Sequence, residues 1–217
     1  QPHHPEREGQ PVTEIPEGLS GLRTLTPIET LEPLYDLAAM VPEDEAIVEL
    51  GTYRGASACW LAAGARDGLG AHVWTIDPHD LPGYRTTTGH GPGGLDFTDP
   101  DIRADAERQI RKCGLQDRIT MIRDFSTAAA EKWSGPKVGL LFIDADHRQH
   151  AVRKDFAAWE PHLVGDAVVA FDDYNDSHPG VPRAVSALVA KQLLTEPAVF
   201  DRLAVCQCIP LSERKSK

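Results

Sequence analysis

Residues 46–57 read AIVELGTYRGAS, an apolar run that meets one acid and two glycines. Val48 and Leu50 are typical of the end of a buried parallel strand, and the small and apolar residues after Gly55 predict a helix packed on a sheet. Gly51 and Gly55 let the backbone turn tightly between the strand and the helix. The stretch therefore predicts a strand, a glycine turn and a helix N-terminus.

A turn of this kind can bind a polar ligand, because it offers unpaired backbone N–H groups and the positive end of a helix dipole. Glu49 adds a negative charge, which suits a ligand with a cation or a sugar hydroxyl better than a bare pyrophosphate. The G-x-G-x-x-G spacing of dinucleotide-binding proteins is absent, since Thr52 and Tyr53 follow Gly51 and the next glycine comes only at Gly55. This argues against NAD as the ligand. On these residues alone, the stretch could equally be an ordinary strand-to-helix turn of an α/β protein that binds no ligand.

Length and composition exclude several classes of protein. A chain of 217 residues with 41% hydrophobic content is most simply one domain. Its net charge of −11 argues against binding to nucleic acid or to an anionic membrane and favours attraction of a cation. The four cysteines show no zinc-type pairing and are interpreted as reduced thiols. Without a long apolar span or a signal-peptide core, we expect a soluble cytoplasmic protein, and a homo-oligomer is left open.

Two segments lack the periodicity of helices or strands. Residues 1–19 are polar and are expected to form a flexible arm before a single domain at 20–217. Residues 79–100 form a long glycine-rich loop just after a predicted strand, where substrates bind in such sheets, and we predict a lid. Its candidate substrate contacts are Tyr84, Arg85 and His90.

Strand and helix patterns alternate through the rest of the chain. They predict a doubly wound, mostly parallel Rossmann-like α/β sheet with an antiparallel C-terminal edge. The most apolar run, 138–143, is expected to be the central strand, and Ser126 is expected to cap the short helix after the third strand. Further strands are expected at 72–77, 118–123 and 167–171, with a closing pair within 198–209, and helices at 27–40, 56–65, 99–113, 149–163 and 181–194.

Acids follow several of these strands. Asp77 ends the second strand, where an acid of a βαβ unit can bind ribose hydroxyls, although it could also cap a helix. Asp144 and Asp146 follow the fourth strand, and Asp172 and Asp173 follow the fifth. Because parallel strands end at the same edge, these carboxylates should lie together and repel one another.

A divalent cation would remove this repulsion. Oxygen ligands without a nearby cysteine suit a hard ion, Mg²⁺ first and Mn²⁺ or Ca²⁺ next. In the alternative, each acid caps a helix or pairs with Arg148 or Arg153. His147 follows the acids directly, and histidine is the side chain whose ordinary pKa lies near neutrality, so His147 is a candidate general base, with Asp146 as its competitor.

Residues 45–174 resemble the class I S-adenosylmethionine (SAM)-dependent methyltransferases. The likeness is to metal-dependent O-methyltransferases similar to catechol O-methyltransferase and to sugar O-methyltransferases related to macrocin O-methyltransferase. The stretch 49–57, ELGTYRGAS, matches the first motif of this family nearly position for position. Two departures are the missing double-glycine turn around Gly165 and a loop at 84–94 that matches no family pattern.

The resemblance implies roles for individual residues. Gly51, Tyr53 and Ser57 would surround the methionine part of the cofactor, Asp77 would bind the ribose, and the residues after the third strand would border the adenine. The candidate cofactor contacts are Glu49, Gly51, Thr52, Tyr53, Gly55, Ser57, Asp77, Asp124, Phe125, Ser126 and Asp144. The family's metal ligands correspond to Asp144, Asp172 and Asp173, and the family leaves the base open between Asp146 and His147.

These observations together predict a Mg²⁺-dependent O-methyltransferase that acts on a small molecule, with a natural product or a sugar as acceptor. Two alternatives stay open at this point. One is an enzyme of the same fold that methylates nitrogen or has another tailoring role. The other is a catalytically silent protein that keeps the SAM pocket, although the intact acids and His147 argue against it.

Overall fold

A computed structural model describes residues 18–79 and 101–214. Most of the predicted arm, nearly all of the predicted lid and its candidate contacts Tyr84, Arg85 and His90 lie outside the described residues. The division of the chain into an arm, a lid and one domain therefore stays a prediction. None of the helices in the described part is long and apolar enough to cross a membrane.

The described residues form one seven-stranded sheet with the order β3-β2-β1-β4-β5-β7-β6. The first five strands pair in parallel, and β7 pairs antiparallel with both β5 and β6, which confirms the predicted fold class and the antiparallel edge. β4 lies at the centre, as its apolar sequence predicted. The strands are β1 (Ala46–Leu50), β2 (His72–Ile76), β3 (Ile119–Ile122), β4 (Val138–Ile143), β5 (Leu163–Phe171), β6 (Ala198–Phe200) and β7 (Leu203–Gln207).

Helices cover both faces of the sheet and bury an apolar core on each. One core contains side chains of α1, α2 and α3, and the other contains side chains of α4, α5 and α6. This arrangement explains why every residue of β1 and β4 is buried and why, apart from Glu49, neither strand carries a polar side chain. The helices are α1 (Ile28–Ala39), α2 (Ala56–Asp67), α3 (Asp101–Lys112), α4 (Ser126–Glu131), α5 (Gln149–Trp159) and α6 (Gly180–Ala190).

The boundaries near β5 differ from those expected. α5 ends at Trp159 rather than at Leu163, and a short 3₁₀ turn that contains Pro161 follows it. Proline cannot donate the backbone hydrogen bond that would continue the α-helix. β5 then begins at Leu163, so Gly165 lies inside the strand instead of in a turn before it.

Candidate functional site

The glycine turn joins β1 to α2 and also contacts the end of β4. Gly51 has φ +101°, and a Cβ atom built on it would overlap the carbonyl oxygen of Asp144. Gly55 has φ +78° and directly precedes α2. Both conformations favour glycine, and at Gly51 the close approach of backbone also excludes a side chain. The predicted strand, turn and helix are confirmed, and Gly51 is the point at which the turn meets the acids after β4.

Asp77 holds the turn in place. Its Oδ2 accepts hydrogen bonds from the backbone N–H groups of Thr52, at 3.0 Å, and of Tyr53, at 2.9 Å. Its Oδ1 accepts one from the N–H of His79 at 2.7 Å. A carboxylate has about four lone-pair sites, so Asp77 retains capacity for a hydroxyl donor such as a ribose. The ribose role thus stays a prediction, and the structure adds a role in holding the loop.

Glu49 is fully buried behind the turn, and its Oε2 accepts a hydrogen bond from the hydroxyl of Thr75. Loss of hydration raises the pKa of Glu49 to about 7; the hydroxyls of Ser57 and Thr75 oppose this rise, and the charge of Asp77 adds to it. Its Oε1 has no hydrogen-bond partner. Glu49 therefore packs beneath the loop with Ser57, which is also buried in the first turn of α2.

The three candidates after β3 occupy different environments. Asp124 pairs with Lys132 at 2.6 Å, while Phe125 is 40% exposed at the end of the strand. The Ser126 hydroxyl donates to the carboxylate of Asp155 and makes no cap bond to α4, so the expected helix cap at Ser126 is wrong. Ser126 is the first residue of α4 and Phe125 is its N-cap, so the hydroxyl is used in the contact with Asp155 of α5. Phe125 remains available to an incoming ligand.

The acids after β4 and β5 come together as predicted. One carboxylate oxygen from each of Asp144, Asp172 and Asp173 lies within 4.8 Å of the other two. The cause is the parallel pairing of β4 with β5, in which Ile143 is opposite Phe171. Loss of hydration raises the pKa of Asp144 well above its ordinary value, and the charges of Asp172 and Asp173 add to the rise. The cluster is thus short of positive charge.

Arg202, in the turn between β6 and β7, is a member of this site that sequence reasoning missed. Its guanidinium donates to Asp172 Oδ1 at 3.1 Å and to Oδ2 at 2.7 Å. Its Nη1 also lies 3.3 Å from Asp173 Oδ1. Burial raises the pKa of Asp172, and the charge of Arg202 counteracts this rise. The guanidinium contacts two of the three carboxylates and brings one positive charge against three acids, so the cluster stays negative overall.

The two candidate bases are placed differently. The Asp146 carboxylate accepts hydrogen bonds from Arg148, whose Nε lies 2.9 Å and 2.8 Å from its two oxygens. Burial would raise the pKa of Asp146, but the hydrogen bonds and charge of Arg148 hold it below the ordinary value. The Nε2 atom of His147 instead lies 2.8 Å from Asp173 Oδ2. His147 therefore joins the acid cluster, whereas Asp146 pairs outside it, as the alternative interpretation of the acids had allowed.

His178 also contacts the cluster and was not singled out from the sequence. Its Nδ1 lies 3.4 Å from Asp173 Oδ1, and its ring centroid lies 4.4 Å from that of His147. His178 lies in the loop between β5 and α6, where no periodic pattern marks it. The only available signal was its proximity in sequence to the acid pair.

Comparison with known proteins assigns the family. Residues 48–174 match the model of the family described as "Methyltransferase domain". This range includes the glycine turn, Asp77 and the acids of both strand ends. The chain belongs to the methyltransferase-domain family, which confirms the resemblance to methyltransferases.

Solved structures share the fold at low sequence identity. The O-methyltransferase NovP is 19% identical with a TM-score of 0.65, over 86% of this chain and 82% of NovP. The O-methyltransferase TomG from Streptomyces achromogenes is 15% identical with a TM-score of 0.62, over 91% and 92% of the two chains. An O-methyltransferase from Bacillus cereus is 18% identical with a TM-score of 0.59, over 88% and 84%. These likenesses establish a common fold.

Proposed function

We propose that this methyltransferase-domain protein is a SAM-dependent O-methyltransferase that requires a divalent cation and acts on a small-molecule hydroxyl. The observation that carries the proposal is the convergence of Asp144, Asp172 and Asp173 within 4.8 Å, next to the glycine turn of the domain. The cofactor is supported by two structural neighbours, since TomG was solved in complex with SAM and the Bacillus cereus enzyme in complex with SAH.

The residues of the cluster fit a hard cation. All three ligand groups are carboxylates, the type that Mg²⁺ prefers, with Mn²⁺ and Ca²⁺ as alternatives. Asp173 is 5% exposed, and its Oδ1 has no hydrogen-bond partner. A buried polar atom without a partner is costly, and a cation would satisfy it. Arg202 supplies only one positive charge against three carboxylates, so the charge of the cluster still favours a divalent ion.

The chemistry is a methyl transfer from sulfur to oxygen. SAM supplies an electrophilic methyl group, and a divalent ion supplies Lewis acidity that lowers the pKa of a nearby hydroxyl. The chain's own residues must position the acceptor oxygen and accept its proton. As the new C–O bond forms, the C–S bond breaks and leaves S-adenosylhomocysteine, while the proton passes to a base.

His147 suits the role of base better than Asp146. The carboxylate of Asp173 lies against Nε2 of His147 and fixes the orientation of the imidazole, which leaves Nδ1 to accept a proton. Asp146 is held by Arg148, whose charge makes that carboxylate a weaker base. We therefore assign proton removal to His147 and an ion-pairing role to Asp146.

The acceptor class rests on charge and on the nature of one neighbour. TomG takes part in tomaymycin synthesis, which favours a natural-product or sugar acceptor for the present chain. The net charge of −11 weighs against a nucleic-acid acceptor. Nitrogen methylation would give a product of the same added mass, so the position of the methyl group distinguishes the two reactions.

The test is the Asp144→Asn variant, assayed with candidate acceptors in the presence of Mg²⁺. We expect turnover to fall by about 10²–10³-fold while SAM binding is largely retained, because Asp144 is assigned to the cation. Asp166→Asn is the matched control, since Asp166 is exposed on β5 and should lose nothing. Mass spectrometry and NMR of the product locate the methyl group, and elemental analysis identifies the ion.

Equal loss of turnover and SAM binding in Asp144→Asn would contradict the metal assignment. A wild-type protein that binds SAM but methylates no acceptor with any divalent ion would support a silent binding protein. His147→Gln and Asp146→Asn in the same assay decide the base, and we expect the larger loss, about 10²-fold or more, with His147→Gln.

A further inference from the structure

We infer that His147, Asp173 and His178 form a second metal site, specific for a borderline transition ion such as Zn²⁺. One ligand atom from each residue lies within 4.8 Å of the other two. Two imidazoles and one carboxylate are a ligand set for Zn²⁺ and its neighbours in the first transition row, whereas Mg²⁺ prefers oxygen alone. The inference rests on the proposed function only for its consequence in catalysis.

Three contacts bring these groups together around the carboxylate of Asp173. The Nε2 atom of His147 lies 2.8 Å from Asp173 Oδ2, and the Nδ1 atom of His178 lies 3.4 Å from Asp173 Oδ1. The two imidazoles thus approach opposite oxygens of one carboxylate, with ring centroids 4.4 Å apart. Arg202 shares Oδ1 at 3.3 Å, and this oxygen has a further lone pair for another partner.

Two atoms at the centre of this group lack hydrogen bonds. Both Asp173 Oδ1 and His178 Nδ1 are buried without a hydrogen-bond partner, although they face each other. Asp173 is 95% buried, since its exposure is 5%, so solvent does not compensate its oxygen. Each of these two atoms can offer a lone pair to a metal ion, the imidazole nitrogen in the tautomer that carries its proton on Nε2. A metal ion bound between them would give both atoms a partner.

Occupation of this site has a consequence for the proposed reaction. A neutral imidazole that binds a metal through Nε2 must carry its proton on Nδ1. His147 in that state cannot accept a proton from the acceptor hydroxyl. Zn²⁺ is therefore an inhibitor of Mg²⁺-supported methyl transfer, and His178 determines this sensitivity without taking part in the transfer itself.

The experiment titrates the full-length, chelator-treated protein with Co²⁺, followed by its visible spectrum, and with Zn²⁺ in competition with a chromophoric chelator. We expect one equivalent bound with a spectrum typical of nitrogen ligands. His178→Ala should weaken Zn²⁺ binding by roughly 100-fold or more, because a direct ligand is removed and even outer partners of metal ligands matter by 10–100-fold. His178→Gln serves the same purpose if the alanine variant does not fold.

Two controls separate this site from the acid cluster. His150→Ala removes an exposed histidine of α5 and should leave Zn²⁺ binding unchanged. Asp144→Asn should weaken Mg²⁺ binding but keep Zn²⁺ binding. Unchanged Zn²⁺ affinity in both His178 variants, or equal loss of Zn²⁺ and Mg²⁺ in Asp144→Asn, would overturn the inference.

A second measurement links the site to catalysis. In wild-type protein, Zn²⁺ should inhibit Mg²⁺-supported methyl transfer, and in His178→Ala the inhibition should require roughly 100-fold more Zn²⁺. Each variant is compared with its own rate in Mg²⁺ alone. The metal titrations need neither SAM nor an acceptor, so they decide the zinc site even if the proposed methyl transfer is absent.

Discussion

At the end of β2 the carboxylate of Asp77 accepts three backbone hydrogen bonds, whereas at the end of β5 Asp172 is held by the guanidinium of Arg202. Both acids end parallel strands at the same edge of one sheet. In the first region, N–H groups donate to Asp77 and hydroxyls donate to Glu49, and no guanidinium of the described residues contacts either acid. The second, around Asp144, Asp172 and Asp173, depends on cations.

Under the proposed function, this difference would let one edge hold two kinds of ligand. Neutral donors fix the loop geometry at Asp77 without adding positive charge. At the acid cluster, one guanidinium against three carboxylates leaves a deficit that a divalent ion can fill. Gly51 connects the two, because only a residue without Cβ fits against the Asp144 carbonyl.

The largest expected effect comes from a substitution in the second region, where the acids depend on cations. Arg202→Gln leaves Asp172, which is 2% exposed, without its charged partner. Removing one partner of a buried ion pair costs about 3–5 kcal/mol, so the free energy of unfolding should fall by that amount in the absence of divalent ions. Millimolar Mg²⁺ should recover part of the loss. Urea denaturation with and without Mg²⁺ measures both quantities.

Arg148→Gln is the matched control for this prediction. Arg148 also pairs with an aspartate, Asp146, but its side chain is 57% exposed. Exposed ion pairs contribute about 0–1 kcal/mol, so the control should lose less than about 1 kcal/mol and show no Mg²⁺ rescue. Similar losses of unfolding free energy in the two variants would show that the Arg202–Asp172 pair contributes no more than an exposed ion pair.

The second prediction concerns Glu49, in the first region, and the pH dependence of the free energy of unfolding. The pKa of Glu49 is raised to about 7 in the folded protein from an ordinary value of 4.5. Between these values the folded state holds more protons than the unfolded state, so wild-type stability falls as pH rises through this window. Glu49→Gln has no such penalty. The free energy of unfolding of Glu49→Gln, relative to that of wild type, should therefore rise by about 2–3 kcal/mol from pH 4.5 to 7 and then level off.

Asp155→Asn provides a comparison, because its stability relative to wild type should change over a pH range that ends at a lower pH. Burial raises the pKa of Asp155 to about 6, and the Ser126 hydroxyl opposes the rise. The free energy of unfolding of Asp155→Asn, relative to wild type, should therefore stop rising near pH 6, while that of Glu49→Gln should rise to about pH 7. Free energies of unfolding at half-unit pH steps test this. A flat difference between Glu49→Gln and wild type would show that Glu49 is ionised in the folded protein.

Strand ends were the most predictable part of the molecule. Each parallel strand is marked by local sequence, and parallel strands end at one edge, so the convergence of Asp144 with Asp172 and Asp173 follows from neighbouring strands alone. The glycine turn was equally local. The end of α5 was missed because periodicity continues past Trp159, whereas Pro161 decides the boundary.

Arg202 and His178 were missed for a different reason. Arg202 reaches the site through the antiparallel pairing of β7 with β5, in which Ala204 lies opposite Phe171. That register is a long-range contact that local patterns do not contain. The predicted closing pair of strands held a usable signal, since a cation at its turn lies near the end of β5. His178 has no comparable signal in an irregular loop.

The smallest expected effect tests whether the region at the end of β3 binds the cofactor, and it rests on the proposed function. Phe125 is 40% exposed, and Phe200 on β6 is 47% exposed, so truncating either side chain should cost little stability. If Phe125 stacks on the adenine, Phe125→Ala should raise the Kd for SAM by about 2–10-fold, which corresponds to about 0.5–1.5 kcal/mol for an aromatic pair. Phe200→Ala should leave the Kd unchanged, because β6 is the far edge of the sheet from β3. Calorimetric titration of both variants with SAM decides the matter, and equal Kd values would place the adenine elsewhere.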